Sequence, residues 1–504
     1  MNSSKLPSAR DVSLTVHRPS YPHDSAFTVM LAVWGQMVDH DITSMALSAN
    51  NSAIKCCSDR QHPECFPVEL DVEDPFYSSH NLTCMEFVRA APATGCRFGP
   101  REQLNQATAF LDASSIYGYT DTKTSRLRHV DGQLKMLKAG ARELLPPSKD
   151  PNDGCNSVEM IAQGRYCFES GDERANENLH LTTMHLIWAR QHNRLARELS
   201  ALNPGWSDET VFQETRRIIA AQMQHITYTE FLPSILGNEY LFNSGSAYDP
   251  TVDPSIANHF ASAAFRFAHT LLPVSNTGTI SYIHLHEILF NPFALYSKRG
   301  SKYAIDSGIY TLVHTPDPHV TSEVMTFNAT VKKQPCGLDL VSLNIQRGRD
   351  NGLPTYPNFR EVCGLSRPQT FDDLRSIFDE SSLSRIEQIY ESVDDIDLYT
   401  GGLAERPHGR LLGPTFTCLI ADQFLRLKVG DRFWYETKQL AEIRKTTLAG
   451  VFCANEVDLE LVQPRIMEAL TPTNPLMQCQ LLPQPTFGPW VDLELPRSKR
   501  IKKN

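Results

Sequence analysis

The sequence predicts one large, mainly α-helical unit with little β structure. Three observations carry that expectation. Five segments place apolar residues at spacings of three and four, the period of a helix with one buried face; alternating strand patterns are scarce; and no internal repeat, low-complexity linker or composition break divides the 504 residues. A length of about 150 residues per domain would allow three units, but the uniform composition favours a single one over 21–490.

The elements follow in chain order. The spacing predicts helices over 27–43, 179–202, 208–232, 255–271 and 411–433. Asn203-Pro204-Gly205 supplies a stop after the second, and Ser207-Asp208-Glu209 a cap and acidic first turn for the third. The proline-containing stretches near 145–153, 249–254 and 471–487 read as loops. The ends, an N-terminal tail over 1–20 and a basic tail over 491–504, are expected to be extended or mobile.

Composition narrows the function. With 48 Lys and Arg against 58 Asp and Glu the net charge is -10, which argues against a chain that must neutralise nucleic-acid phosphates. No stretch approaches the roughly 20 apolar residues of a membrane span. Twelve cysteines, with sequons at Asn2, Asn50, Asn81 and Asn328, point to an oxidising compartment and secretion. The first 20 residues hold no apolar signal core, so the expectation is that upstream sequence is missing.

Five clusters could carry chemistry. In Trp34 to Asp41, Gln36 and His40 lie four apart on one helical face, flanked by Asp39 and Asp41. In Gly171 to Glu177, Arg174 and Glu177 lie three apart just before a helix. Phe265 to Thr270 sets Arg266 and His269 at the end of an apolar helix. Leu343 to Pro354 packs Asn344, Gln346, Arg347 and Arg349 behind an apolar lead-in. Thr108 to Ser114 offers hydroxyl, carbonyl and carboxylate oxygens, the hard donors that calcium takes. Taken alone, each has an ordinary explanation as a surface turn, a helix end or a satisfied core histidine. Motifs of zinc proteases, thioredoxins, serine hydrolases and P-loop proteins are missing.

The order of these segments is what speaks. WGQMVDHD, TAFLDASSIYG, GDERANE with MHLIWARQHNRLA, HITYTEFLPSILG, FRFAHTLLP and LNIQRGRDNGLPTY together resemble the animal haem peroxidase superfamily, which includes myeloperoxidase, lactoperoxidase, peroxidasin and the peroxinectins. The resemblance runs from about 19 to 480 and is nearest in kind to invertebrate peroxinectin-like or chorion-peroxidase-like members. It implies a helical fold with haem b held between the central helices, and reduction of hydrogen peroxide at the expense of halide, thiocyanate or phenolic and tyrosyl donors through a ferryl intermediate. Extracellular matrix or eggshell protein tyrosines would be macromolecular partners.

The same resemblance implies roles. His40 would be the distal base, Arg174 its charge-stabilising neighbour and Gln36 a polar liner of the same space. His269 would ligate the haem iron, and Asn344 would accept the proton on its other nitrogen. Arg266 and Arg347 would lie near the propionates or proximal edge. Asp39 and Glu177 match the carboxylates that become esterified to haem methyl groups, whereas Asn178 stands where myeloperoxidase has the methionine of its third link. Asp41, Thr108, Phe110 through its carbonyl, Asp112 and Ser114 would bind calcium. Implied disulfides are Cys155–Cys167, Cys363–Cys418 and Cys453–Cys479, with two more among Cys56, Cys57, Cys65 and Cys84 in an open order and Cys96 and Cys336 left over. A fatty-acid oxygenase of the cyclooxygenase branch is the weaker alternative, because Arg266 occupies the place of its radical-forming tyrosine. An inactive haem-binding or adhesive extracellular protein is another, against which His40, Gln36 and Arg174 are all retained.

Overall fold

The computed structural model describes residues 6–492 apart from 19–22, 49–53, 96–98, 141, 149, 151, 152, 154, 157, 238–246, 274, 278–281, 319–336 and 436–438. Cys96, Cys336, the basic tail beyond 492 and the sequons at Asn2, Asn50 and Asn328 lie outside the described residues.

Helices dominate, and the strands among the described residues form only two-stranded pairs. The N-terminal segment departs from expectation. Residues Ala9–Val16 form a helix, α1, not an extended tail. Ala9, Val12 and Val16 are at most 1% exposed, Ser8 accepts the Arg10 N–H as cap, and the buried Arg10 guanidinium pairs with Asp74 at 2.8 Å and Asp339 at 2.9 Å. Eight residues are too few for periodicity to declare a helix, and a buried arginine reads as surface until its two partners, distant in sequence, are brought to it.

Strand β1 (His23–Thr28) leads into α2 (Val29–Ile42) and pairs antiparallel with β2 (Leu312–His314). α3 (Leu179–Leu202) has the expected bounds and is buried nearly all round. Its polar core side chains are therefore paired: Asn193 bonds both backbone groups of Leu134 at 2.7 and 3.0 Å, and His192 contacts the Tyr117 hydroxyl at 2.7 Å. Trp34 of α2 and Trp188 of α3 meet with ring centroids 5.9 Å apart, fixing the two helices that frame the site.

α4 (Asp208–Ile226) packs on α3 and opens with Ser207 capping Thr210 N. Its continuation is wound wider over Thr227–Phe231 before Leu232–Leu236. Pro233 has no N–H to return to the preceding turn, which accounts for the loosened ladder. The expected helix over 255–271 is broken. Asn258–Ser262 is helical, Ala263 leaves helical geometry at φ -137°, and Ala264–Leu271 winds as a tighter three-residue helix. Helices α5 (Gly300–Tyr310), α6 (Leu340–Asp350) and α7 (Pro414–Val429) complete the frame, α7 falling inside the expected 411–433. The disulfides Cys155–Cys167, Cys363–Cys418 and Cys453–Cys479 form as implied, and the open order resolves to Cys56–Cys65 and Cys57–Cys84.

Candidate active site

A cavity of about 300 Å³ lies between α2, the start of α3 and the 264–271 helix. Gln36, Asp39 and His40 line it from α2, Arg174 and Glu177 from the turn before α3, and Arg266 and His269 from the third wall. The three-residue period of Ala264–Leu271 explains the last pair, since residues three apart eclipse one another and Arg266 stacks one turn before His269. Asp39, Arg174 and Arg266 also meet at a smaller second pocket, and Val29, Leu272, Pro273, Leu285 and Ile288 add apolar lining to the main cavity.

His40 is 4% exposed, with Nε2 3.8 Å from Glu177 Oε2 and Nδ1 3.8 Å from Asp172 Oδ1. Nδ1 is buried without a hydrogen-bond partner. Burial, with the nearby Arg174 charge, holds the imidazole well below its ordinary pKa, so it is neutral at physiological pH. Glu177, exposed by 31% through the cavity, is raised to about 7 by desolvation and by Asp172 and Asp39, with Arg174 opposing. Burial likewise raises Asp39. Gln36 Oε1 accepts from Asn178 Nδ2 at 2.8 Å.

Arg174 closes the end of α2. Its Nη2 donates to the carbonyls of Thr43 at 2.8 Å and His40 at 3.4 Å, and the Tyr119 hydroxyl oxygen also lies against the His40 carbonyl. These are the orphan carbonyls of a last helical turn, where a cation is favoured.

On the proximal wall His269 Nδ1 lies 2.8 Å from Asn344 Nδ2, while Asn344 Oδ1 accepts from Arg266 Nη1 at 2.8 Å. Asn344 stands where expected, its amide bridging the His269 ring and the Arg266 guanidinium. Burial and the Arg266 charge lower His269 to about 3, leaving a neutral imidazole. Arg347 does not line the cavity. It is held by Asp350 at 2.9 Å and the Val88 carbonyl at 3.1 Å, stacked over Phe87 at 4.0 Å. It follows Asn344 by one turn on the same side of α6, so these partners, and not helix phase, hold it.

Asp41 points from the other face of α2 into the 108–115 loop. Its carboxylate accepts from Ala113 N at 3.1 Å and from Ser115 N and Oγ at 2.9 and 2.8 Å. Thr108 Oγ1 lies 3.1 Å from the Phe110 carbonyl and 3.3 Å from Ser114 Oγ, which bonds Asp112 Oδ1 at 2.5 Å. Ala113 is left-handed at φ 62°, a strain that this loop sustains. Burial and the neighbouring Asp112 raise Asp41 to about 7. Two carboxylates, two hydroxyls and a carbonyl without a neutralising cation are a donor set that fits calcium. The cavity fits haem on a similar test: two neutral histidines from different walls, two arginines and a lining otherwise rich in apolar side chains.

Sequence reasoning missed three participants. Asp172, although inside the quoted motif, had no role until folding placed it against His40 and Arg174. Tyr119 donates to Asp172 Oδ2 at 2.9 Å from 53 residues away, and no local pattern marks it. His180 lines the cavity and contacts Ser307 Oγ through Nε2 at 2.7 Å; it lies three residues beyond Glu177, on the apolar first turn of α3.

Comparison with known proteins agrees with this geometry. Residues 1–467 match the family model described as animal haem peroxidase. The chain is 36% identical over 539 residues to the peroxidasin homolog pxn-2 of Caenorhabditis elegans, covering 97% of this chain and 40% of that protein, so it spans less than half of that relative. It is 32% identical to a peroxidase of Drosophila melanogaster, covering 98% of this chain and 77% of that one. The solved structure of peroxidase A from Dictyostelium discoideum superposes with a TM-score of 0.79 at 30% identity, covering 92% of this chain and 91% of that one. With the two histidines, the arginine and the carboxylates of the family motifs gathered at one cavity, the chain belongs to the animal haem peroxidase family.

Proposed function

We propose that the protein is a secreted haem-dependent peroxidase that reduces hydrogen peroxide with electrons from halide, thiocyanate or phenolic and tyrosyl donors. The observation that carries the reading is the convergence of neutral His40, cationic Arg174 and neutral His269 on one cavity. His269 would ligate the iron, Asp39 and Glu177 would hold the haem as esters, and the Asp41, Thr108, Phe110, Asp112 and Ser114 oxygens would hold calcium. Bound haem supplies an iron centre able to take two oxidising equivalents from peroxide and return them to donors.

The residues do the rest. His40 Nε2 faces the cavity with a lone pair available because burial disfavours its charged form, so it takes a proton from peroxide and returns it to the departing oxygen. Arg174 holds fixed positive charge where negative charge develops. Gln36, anchored by Asn178, orients water or a small anion beside His40. Calcium would hold Asp41 against its loop and so brace the neighbouring His40. No described helix is long and apolar enough to cross a membrane, and five disulfides support an oxidising, extracellular setting.

The deciding measurement is the visible spectrum of the purified protein before and after one equivalent of hydrogen peroxide, followed by acid-acetone extraction. A Soret band that shifts with peroxide, on haem that stays with the protein, is expected. A colourless or inert protein would overturn the peroxidase reading; extractable haem would overturn the ester links alone.

A further inference from the structure

We propose that Asp172 is the positioning residue of the peroxide pocket: it grips Arg174 by one edge so that the guanidinium offers only Nη1 to the cavity. The inference rests on the peroxidase reading and adds to it how the arginine is aimed.

Asp172 Oδ1 accepts from Arg174 N at 2.7 Å and Nε at 3.0 Å, and Oδ2 accepts from Nη2 at 2.7 Å. Nη2 is further engaged by the Thr43 and His40 carbonyls. Nη1 has no partner among the described residues and belongs to a side chain that lines the cavity. A guanidinium is a rigid planar fork, so fixing Nε and Nη2 fixes where Nη1 points.

The clamp is itself held. Asp172 N donates to the Ser115 carbonyl at 2.8 Å, and Tyr119 donates to Oδ2. Gly171 permits that approach, since a Cβ there would stand 2.4 Å from Gly118 N and 2.6 Å from the Ser114 carbonyl. Asp172 is 3% exposed. Burial alone would push its carboxyl up, but the hydrogen bonds and charge of Arg174 hold it well below the carboxylate range, so the clamp stays charged. Its distance of 3.8 Å from His40 Nδ1 places the anion behind the ring and leaves Nε2 as the nitrogen nearer Glu177. A carboxylate in this position aims the arginine without entering the pocket.

A double-mutant cycle on the haem-loaded protein tests this, reading both the rate with peroxide and the affinity of the ferric form for cyanide. Asp172→Asn and Arg174→Gln are each expected to slow the peroxide reaction by roughly 10²-fold, the scale of one lost preorganised donor, and to weaken cyanide binding. The double variant should match Arg174→Gln alone, because the carboxylate acts through the arginine. Costs that multiply, or an Asp172→Asn protein with unaltered rate and cyanide affinity, would overturn the proposal. Should Asp172→Asn fail to take up haem, the unmodified protein decides: in ¹⁵N-arginine spectra the Arg174 Nε–H should exchange slowly, and rapid exchange would refute the clamp. A wild-type protein inert to peroxide would instead overturn the underlying peroxidase reading, and the positioning role with it.

Discussion

At the scale of single residues, chemistry was legible wherever one helical turn carried it. Gln36 and His40 share a face by spacing alone, and both line the cavity. His40→Ala should slow the reaction with peroxide by about 10²–10⁴-fold, the usual worth of a positioned acid-base group, while leaving haem content intact; stopped-flow rates at wild-type level would refute the role. His269→Ala should abolish stable haem incorporation, and a normal ratio of Soret to protein absorbance would exclude it as the ligand. What one turn could not show was partnership. Asp172 sits two residues from Arg174, yet its contact with His40 spans 132 residues of sequence distance and exists only after folding. The Arg266–Asn344 bond was likewise hidden, because it joins residues 78 apart in sequence.

At the scale of elements, the long helices were readable and the short ones were not. α3 is long and apolar enough for its period to stand out, whereas α1 hides a buried arginine among eight residues. Arg10→Met would leave Asp74 and Asp339 as uncompensated buried charges and should cost about 3–5 kcal/mol, measurable as a lowered denaturant midpoint; an unchanged midpoint would mean that α1 adds nothing to stability. The break at Ala263 was invisible to periodicity because α and three-residue helices differ by only 0.6 residue per turn, too little to separate over eight residues. α2 joins both candidate centres, with His40 and Asp41 adjacent on different faces. Chelation of calcium should therefore lower the melting temperature and slow the peroxide reaction together, and chelator that changes neither would remove calcium from the account.

At the scale of the whole molecule, burial of titratable groups sets the pH range of stability. His180, His185 and His192 are each lowered to about 4 by burial, while in the unfolded chain they titrate near 6.5. Between those values unfolding takes up protons, so their contribution is complete above about 6.5 and is lost as pH falls toward 4. Glu230 works in the other direction. Burial raises it to about 8, so it is protonated when folded and ionised when unfolded, and stability declines as pH rises from about 4.5 to 8. Melting temperature should peak between these flanks, and a profile flat from pH 4 to 8 would contradict the burial of these groups.

The sequence by itself determined the helical class, the long helices, the family motifs and three of the disulfide pairings implied by resemblance, because these rest on local period or on short strings whose order persists. Tertiary structure alone decided that residues 9–16 belong to the core, that Arg347 is held by Asp350 and Phe87, that Cys56 pairs with Cys65, and that Asp172 and Tyr119 stand behind His40 and Arg174. The physical reason is that a buried polar group is defined by its partners, and those partners come from segments that only packing brings together.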